Sequence, residues 1–596
     1  MHSRIAFALI PYAAALLLAA PVMATRALAA EPGGEAGPGD TTLLRLADDY
    51  FDHFYFPENP SAATAIGIHR YDEQLEDLSR SGVERQVKAL HRYAQQVESI
   101  DESKLSERVR GDRELLLASI RSSLLTLEVI RPWEKDPDSY PSSITQSAYS
   151  IMERNFAPPN ERLRLLIARE MLMPAALEAA RVNLRNPPRI YSSIALEQMP
   201  GVVSFFARDL PAAFSAADDR ALQARFTSVN ARVIAALKSY EHWLRQDLLP
   251  RSHGDFRLGA RAFSAKLLYD EMVDTPLDKL LEIGTADLKR NQAQFIRVAK
   301  ELEPDKSAPE VLAELAADHP APTALLASFQ ATFDGLIEFI NARQIITIPS
   351  ATQPTLRETP PFMRATTFAS MDTPGPYEAE AQEAYFNVTL PETSWDPKHT
   401  AGFMTQFNFP VITAISVHEA YPGHYIQFLW MRQIDDRVRK LIGANSNAEG
   451  WAHYCEQMML DEGYGQSGPG SHDERAALRL RLGQLQDALL RDARYVVGIS
   501  MHTGQMNMAQ AEDFFVKEGY QSHEVGEIET KRGTSDPTYL YYTLGKLEIL
   551  KLRADLQARE GSAFKLRDFH DAFMQQGFPP IKLVRRALLH DDSPAL

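Results

Sequence analysis

Val417-His418-Glu419-Ala420-Tyr421-Pro422-Gly423-His424-Tyr425-Ile426-Gln427 is the stretch around which the chain is organised. A His-Glu pair followed by another His offers two neutral imidazole ligands and a carboxylate able to act as general base, the equipment of a zinc hydrolase. The usual arrangement is His-Glu-x-x-His, because residues four apart share a helical face and can reach one ion. Here position 422 is Pro, and the second His stands six residues after His418. At 3.6 residues per turn, six residues amount to about 240° of rotation, so on a straight helix the two imidazoles would point to different sides. The helix therefore has to deform. Pro422 has no N–H for the carbonyl of His418 and crowds that turn, while Gly423 tolerates unusual backbone angles, so a kink or wide turn at 422–423 is expected. On the motif alone, a metal site and a chance spacing stand level.

His-Glu-Ala-Tyr-Pro-Gly-His-Tyr-Ile-Gln resembles the signature of a mostly bacterial family catalogued as domain of unknown function 885, whose members carry His-Glu-x-x-Pro-Gly-His-His-x-Gln. A second block, Ala448-Glu449-Gly450-Trp451-Ala452-His453-Tyr454-Cys455-Glu456, is similar to the family's Glu-Gly-Trp-Ala-x-Tyr-x-Glu. The family is grouped with the zincin-like metallopeptidases and is largely helical, so the resemblance implies a mostly α, large zincin-like fold with a deep cleft and a small β element. Where the family usually has two consecutive His, this chain has His424 followed by Tyr425, which leaves only His424 to be the ligand of that pair.

Composition fits such an enzyme. The 596 residues are 45 % hydrophobic and 24 % charged, ordinary for a globular chain and ample for a large core, as one catalytic unit or two lobes. Lys and Arg number 63 against 79 Asp and Glu, a net charge of −16 without a long basic run, which argues against nucleic acid and anionic membrane surfaces as partners. Residues 1–29 read as a signal peptide: Arg4, an apolar run from Ile5 to Ala20, then Ala27-Leu28-Ala29 as the cleavage site. The run is shorter than the roughly 20 residues that span a bilayer and contains Pro11, so no stable membrane insertion is expected and the mature protein should be periplasmic or secreted. The only Cys is Cys455, so neither an intramolecular disulfide nor lipoprotein processing is expected. Residues 30–40, rich in Gly and Pro, read as a flexible mature N-terminus, and 41–596 as a single large helical metallohydrolase unit, in one lobe or two.

Helical periodicity dominates the rest. Leu43, Ala47, Tyr50 and Phe54 keep helical spacing up to Pro57, and His69 further on reads as a structural or surface residue. Thr275-Pro276-Leu277-Asp278 predicts a capped helix start leading to Leu302. Between about 341 and 395 the texture changes: Ile345-Ile346-Thr347-Ile348 and Tyr385-Phe386-Asn387-Val388-Thr389-Leu390 read as strands among clustered prolines. A small sheet beside a helical site is where a peptide could lie as an added strand, with Tyr385 a substrate contact, and a structural hairpin is an equal reading. The row Leu478, Leu482, Leu485, Leu489 is core packing on a further helix. Arg494 to His502, Arg532 to Lys546 and Phe569-His570-Asp571 resemble further family blocks, although Gly498 replaces the usual Asp.

A zinc site normally takes three protein ligands and leaves a position for water. If 447–462 is helical, Glu449, His453 and Glu456 share a face. Similarity to peptidases that pair a His-Glu motif with a downstream Glu implies His418, His424 and Glu449 as ligands of Zn2+, with His453 and Glu456 orienting them or replacing Glu449. The same resemblance makes Glu419 the general base and His502 or Tyr542 the oxyanion donor, with Arg532 and Lys546 holding a substrate carboxylate. The expectation is a zinc-dependent peptidase acting on short peptides or chain ends. Its alternatives are a zinc hydrolase of another amide or ester, and a non-catalytic periplasmic binding or scaffold protein.

Overall fold

The computed structural model describes residues 37–360, 364, 367–466 and 474–596, so the signal-peptide reading lies outside the described residues. The fold is 71 % helical with one three-stranded sheet, mostly α as expected. Residues 37–40, expected to be flexible, are instead tied down. The Asp40 carboxylate accepts from the Gly37 and Ser106 amides at 2.9 Å each, and Gly39 N–H donates to the Lys104 carbonyl at 3.0 Å, so helix α1 (Asp40–Tyr50) starts anchored.

Long helices make up the N-terminal part, among them α2 (Arg189–Ser204), whose middle turns line the site with Ile194, Glu197 and Gln198. Helix α3 (Leu277–Leu302) runs where its periodicity places it and buries Leu288, Phe295 and Leu302. Its N-cap is Pro276 without a side-chain cap bond, so the capping box expected from Thr275 does not form.

The sheet differs from the sequence reading. Tyr385–Val388 is a strand (β3), pairing in parallel with β1 (Thr355–Glu358) and antiparallel with β2 (Ala369–Asp372). Residues 345–348 form none, because other groups claim their backbone: Ile345 N–H donates to the Ile340 carbonyl, Thr347 N–H to Asp571, and the Thr347 carbonyl accepts from the Trp430 indole. Phe386 and Val388 point into a core with Phe329 and Phe333, while β2 is an edge. Thr389 N–H bonds the Phe368 carbonyl, so by antiparallel alternation Ser370 and Asp372 face β3 while the backbone groups of Ala369 and Met371 point away from it.

Helix α4 (Phe409–Glu419) lies beside β2 and ends at the motif; α5 (His424–Met431) leaves the other side of the turn. Beneath them run α6 (Asn445–Asp461), α7 (Glu474–His502), α8 (His523–Ser535) and α9 (Tyr541–Glu560). Helices α6 and α9 cross in close contact, since a Cβ on Gly450 would sit 2.5 Å from Gly545 Cα; only glycines allow that approach. The segment after β2 is pinned to the N-terminal helices. Tyr377 N–H donates to the Ile66 carbonyl, and His69 bridges Asp72 at 2.9 Å and Glu378 at 3.0 Å, which gives that histidine a partner from the far part of the chain.

Candidate metal centre

The six-residue spacing is resolved by a break rather than a kink. Helix α4 stops at Glu419, residues 420–423 form a tight turn with a cis Tyr421–Pro422 bond, and His424 opens α5. Gly423 N–H donates to the Val417 carbonyl at 3.0 Å, and a Cβ at 423 would lie 1.8 Å from the His418 carbonyl oxygen, so no other residue fits. Tyr421 anchors the turn in the core against Phe333, and the Trp451 indole of α6 donates to the Pro422 carbonyl at 2.9 Å. The turn swings the second imidazole back, so the rings of His418 and His424 stand 4.8 Å apart and nearly perpendicular.

Glu449, in the second turn of α6, meets them. Its Oε2 is 3.3 Å from Nε2 of His418 and 3.3 Å from Nε2 of His424, and one ligand atom from each of the three residues lies within 4.8 Å of the others. That oxygen is buried without a hydrogen bond of its own, facing two nitrogens that would point their lone pairs at the same place. Three donors converging on one point, with an orphaned carboxylate oxygen among them, fit a zinc ion.

Each imidazole is held from behind. His418 Nδ1 donates to Glu456 Oε1 at 2.7 Å, and Glu456 Oε2 accepts from His453 Nδ1 at 3.1 Å; a carboxylate can only accept, which fixes both tautomers. Arg491 on α7 closes the group, 3.1 Å from Glu456. His424 has no carboxylate behind Nδ1 and stacks on Phe428 instead, at 5.7 Å and 20°. Burial works against charge on His418, yet the adjacent Glu449 and Glu456 carboxylates prevail and push its pKa up to about 9. Burial likewise works against an ionised Glu449, but His424 and His418 hold its carboxyl well below the usual range. His453 goes the other way: burial first, then the Lys546 charge, lower its pKa to about 3 and keep it neutral. The three polar positions of α6 therefore have distinct settings. Glu449 faces the cavity, while Glu456 and His453 stand behind His418.

The centre opens into a cavity of about 1030 Å³. Its walls are α2, residues 367–376 with the free edge of β2, residues 440–448, and the inner faces of α7 and α8. Glu419 lines it next to the ligand cluster, with no hydrogen-bond or ion-pair partner among the described residues. Tyr542 also lines it; its ring is 6.3 Å from that of His418 and its hydroxyl accepts from Arg532 at 3.3 Å.

Three expected site residues lie elsewhere. His502 cannot donate to an oxyanion in this cavity, because Nε2 donates to the Gly533 carbonyl at 2.7 Å and Nδ1 accepts from Leu258 N–H at 3.3 Å. Lys546 is buried in an ion pair with Asp287 at 2.8 Å and does not reach substrate space. The ring of Tyr385 is covered by the Arg357 guanidinium at 3.8 Å, outside the cavity lining. Sequence reasoning placed Arg532 of α8 at the site, as the cavity lining bears out, but missed Arg491 and the part Arg494 plays on α7. Arg491, Arg494 and Arg532 surround Tyr542 at 5.6, 5.1 and 5.9 Å, and Arg494 is paired with Glu529 through two 2.7 Å bonds. The spacing of Asp487, Arg491 and Arg494 on the side of α7 opposite its leucine row was the available signal.

Comparison with known proteins agrees with this architecture. A solved structure described as a "putative lipoprotein of unknown function" from Shewanella oneidensis superposes with a TM-score of 0.75 at 24 % identity, covering 92 % of this chain and 99 % of that one. A "putative lipoprotein" from Colwellia psychrerythraea gives 0.76 at 18 % identity, covering 93 % and 99 %. No curated protein matches. The family model described as "Bacterial protein of unknown function (DUF885)" matches residues 60–588, nearly the whole described chain, and the protein belongs to that family.

Proposed function

We propose that the protein is a zinc-dependent peptidase of zincin type that hydrolyses short peptides or chain ends. The observation that carries the reading is the convergence of His418, His424 and Glu449 in the lining of a cavity beside Glu419, which has no hydrogen-bond or ion-pair partner among the described residues. His418, His424 and Glu449 would hold the zinc ion, which supplies Lewis acidity to activate water and polarise a carbonyl. Glu419 takes the proton of the attacking water as its oxygen bonds to the scissile carbon, and returns it to the amine nitrogen as the C–N bond breaks. The Tyr542 hydroxyl donates to the oxygen on which charge develops. Glu456 keeps the proton of His418 on Nδ1, leaving Nε2 free to ligate.

A peptide rather than another amide is favoured by the edge of β2. Ala369 and Met371 present backbone donors and acceptors along the cavity wall, the complement of an extended peptide. The cavity's volume suits a short ligand of this kind better than a folded protein. The N-terminal signal pattern, together with neighbours named as lipoproteins, supports export; among the described residues no helix is long and apolar enough to cross a membrane.

The test is hydrolysis of a panel of short peptides, acyl amides and esters by the zinc-loaded and the chelator-treated protein. Zinc-dependent cleavage of peptides is the expected result. Cleavage confined to other amides or esters would leave a different hydrolase, and no turnover with no zinc retained would leave a binding or scaffold protein.

A further inference from the structure

We propose that Arg532 anchors the C-terminal carboxylate of the substrate, which makes the protein an exopeptidase releasing fragments of one to three residues from chain ends. The inference rests on the peptidase reading above and adds the substrate class and the end attacked.

Most cations lining the cavity are already neutralised. Arg494 is closed by two bonds to Glu529, Arg491 is held by Glu456, and Lys531 is paired with Glu197 at 3.1 Å and Glu527 at 3.2 Å. Lys440 lies over the Tyr377 ring, where the cavity meets a second, shallower one. Arg532 differs from all of these. Only its Nη2 is engaged, with the Asp536 carboxylate and the Tyr542 hydroxyl, both at 3.3 Å, and the Asp536 oxygen it shares also accepts from the Tyr541 hydroxyl at 3.0 Å. Nε and Nη1 have no partner among the described residues, and the side chain keeps 32 % of its surface open. A guanidinium that lines the cavity with donors to spare on Nε and Nη1 can take a further carboxylate.

Its position sets the length of the leaving fragment. The Tyr542 ring stands 6.3 Å from the His418 ring and 5.9 Å from the Arg532 guanidinium carbon. Together these legs hold the guanidinium within about 12 Å of the His418 ring, which an extended chain advancing about 3.4 Å per residue crosses in roughly three residues. A carboxylate seated on Arg532 therefore belongs to a residue within three of the scissile bond.

The experiment measures binding separately from turnover. Acetyl-Ala-Phe with a free carboxylate, acetyl-Ala-Phe-amide and acetyl-Ala-Asp-amide are titrated by calorimetry into zinc-loaded Glu419→Gln protein, with and without Arg532→Gln. The free acid is expected to bind at least about tenfold more tightly than the Phe amide, as a desolvated charge-assisted pair gives, and Arg532→Gln to bring the two within about twofold. Wild-type protein digesting a ten-residue peptide should release only fragments of one to three C-terminal residues. Equal binding of acid and amide overturns the proposal without recourse to any variant. A preference that survives Arg532→Gln overturns the assignment to that residue, and an Asp amide that binds as well as the acid, or purely internal cleavage, overturns the terminal reading. A carboxylate preference in a protein that cleaves no peptide supports the subsite and sinks the peptidase reading alone.

Discussion

Nδ1 of His418 lies 2.7 Å from Oε1 of Glu456, and this bond joins the two family-like blocks of the sequence into one centre. On the proposed zinc reading, Glu456, two turns along α6 from Glu449, would act on the metal through His418. Glu456→Gln keeps the shape but gives up the charge that orients and strengthens the imidazole. Zinc affinity, read by competition with a chromophoric chelator, should weaken about 10- to 100-fold. An unchanged affinity would reduce Glu456 to a partner for Arg491.

His424 is expected to behave differently because it would itself be a ligand. His424→Ala leaves two donors, which hold zinc poorly, so the purified variant should fall from near-stoichiometric zinc to little or none. Elemental analysis beside the wild type checks this. Full zinc content would move the centre away from these residues.

Gly423→Ala tests the turn. The added methyl carbon would lie 1.8 Å from the His418 carbonyl oxygen, so the two helices must separate and carry the imidazoles apart. We expect loss of zinc together with a lower Tm; a variant with wild-type zinc and Tm would show that the turn tolerates a side chain.

Much of this centre was legible in the sequence, for physical reasons that also mark where legibility ends. The break at Pro422-Gly423 was legible because a regular helix fails there, and the grouping of His418, His424 and Glu449 followed from the family resemblance, with Glu449 and Glu456 on one helical face. Long helices such as α3 and α7 announced themselves through periodicity over many turns. The strands β1 and β2 did not, being four residues each among prolines, too short for an alternation to stand out. His502 and Lys546 sit in blocks of the right kind, but a block cannot tell which way a side chain points, and theirs point to the Gly533 carbonyl and to Asp287. Arg491 was overlooked because α7 was read from its leucine side, and a polar stripe on the other side looks like solvated surface until α6 and α9 are packed against it.

A pH-dependent prediction comes from a residue outside the site. Glu170 is fully buried and neither carboxylate oxygen has a hydrogen-bond partner among the described residues, so desolvation pushes its pKa up from 4.5 to about 9. The folded chain keeps a proton that the unfolded chain releases near 4.5, so stability falls as pH rises from there to about 9 and levels off above. Glu170→Gln removes that slope. Urea midpoints at pH 5 and pH 8 should show the variant gaining on the wild type at the higher pH; an equal gap at both would contradict a neutral buried acid.

Whether Glu419 performs acid–base chemistry beside a zinc ion held by His418, His424 and Glu449 can be read from a single rate. The measurement is kcat for a cleavable short peptide, with wild type and Glu419→Gln both loaded to equal zinc. Glutamine preserves size and hydrogen bonding but cannot accept the proton of water, so kcat should fall by at least about 10²-fold while zinc content stays the same. A Glu419→Gln protein that turns over peptide at the wild-type rate, or a zinc-loaded wild type that cleaves no peptide at all, would contradict that chemistry.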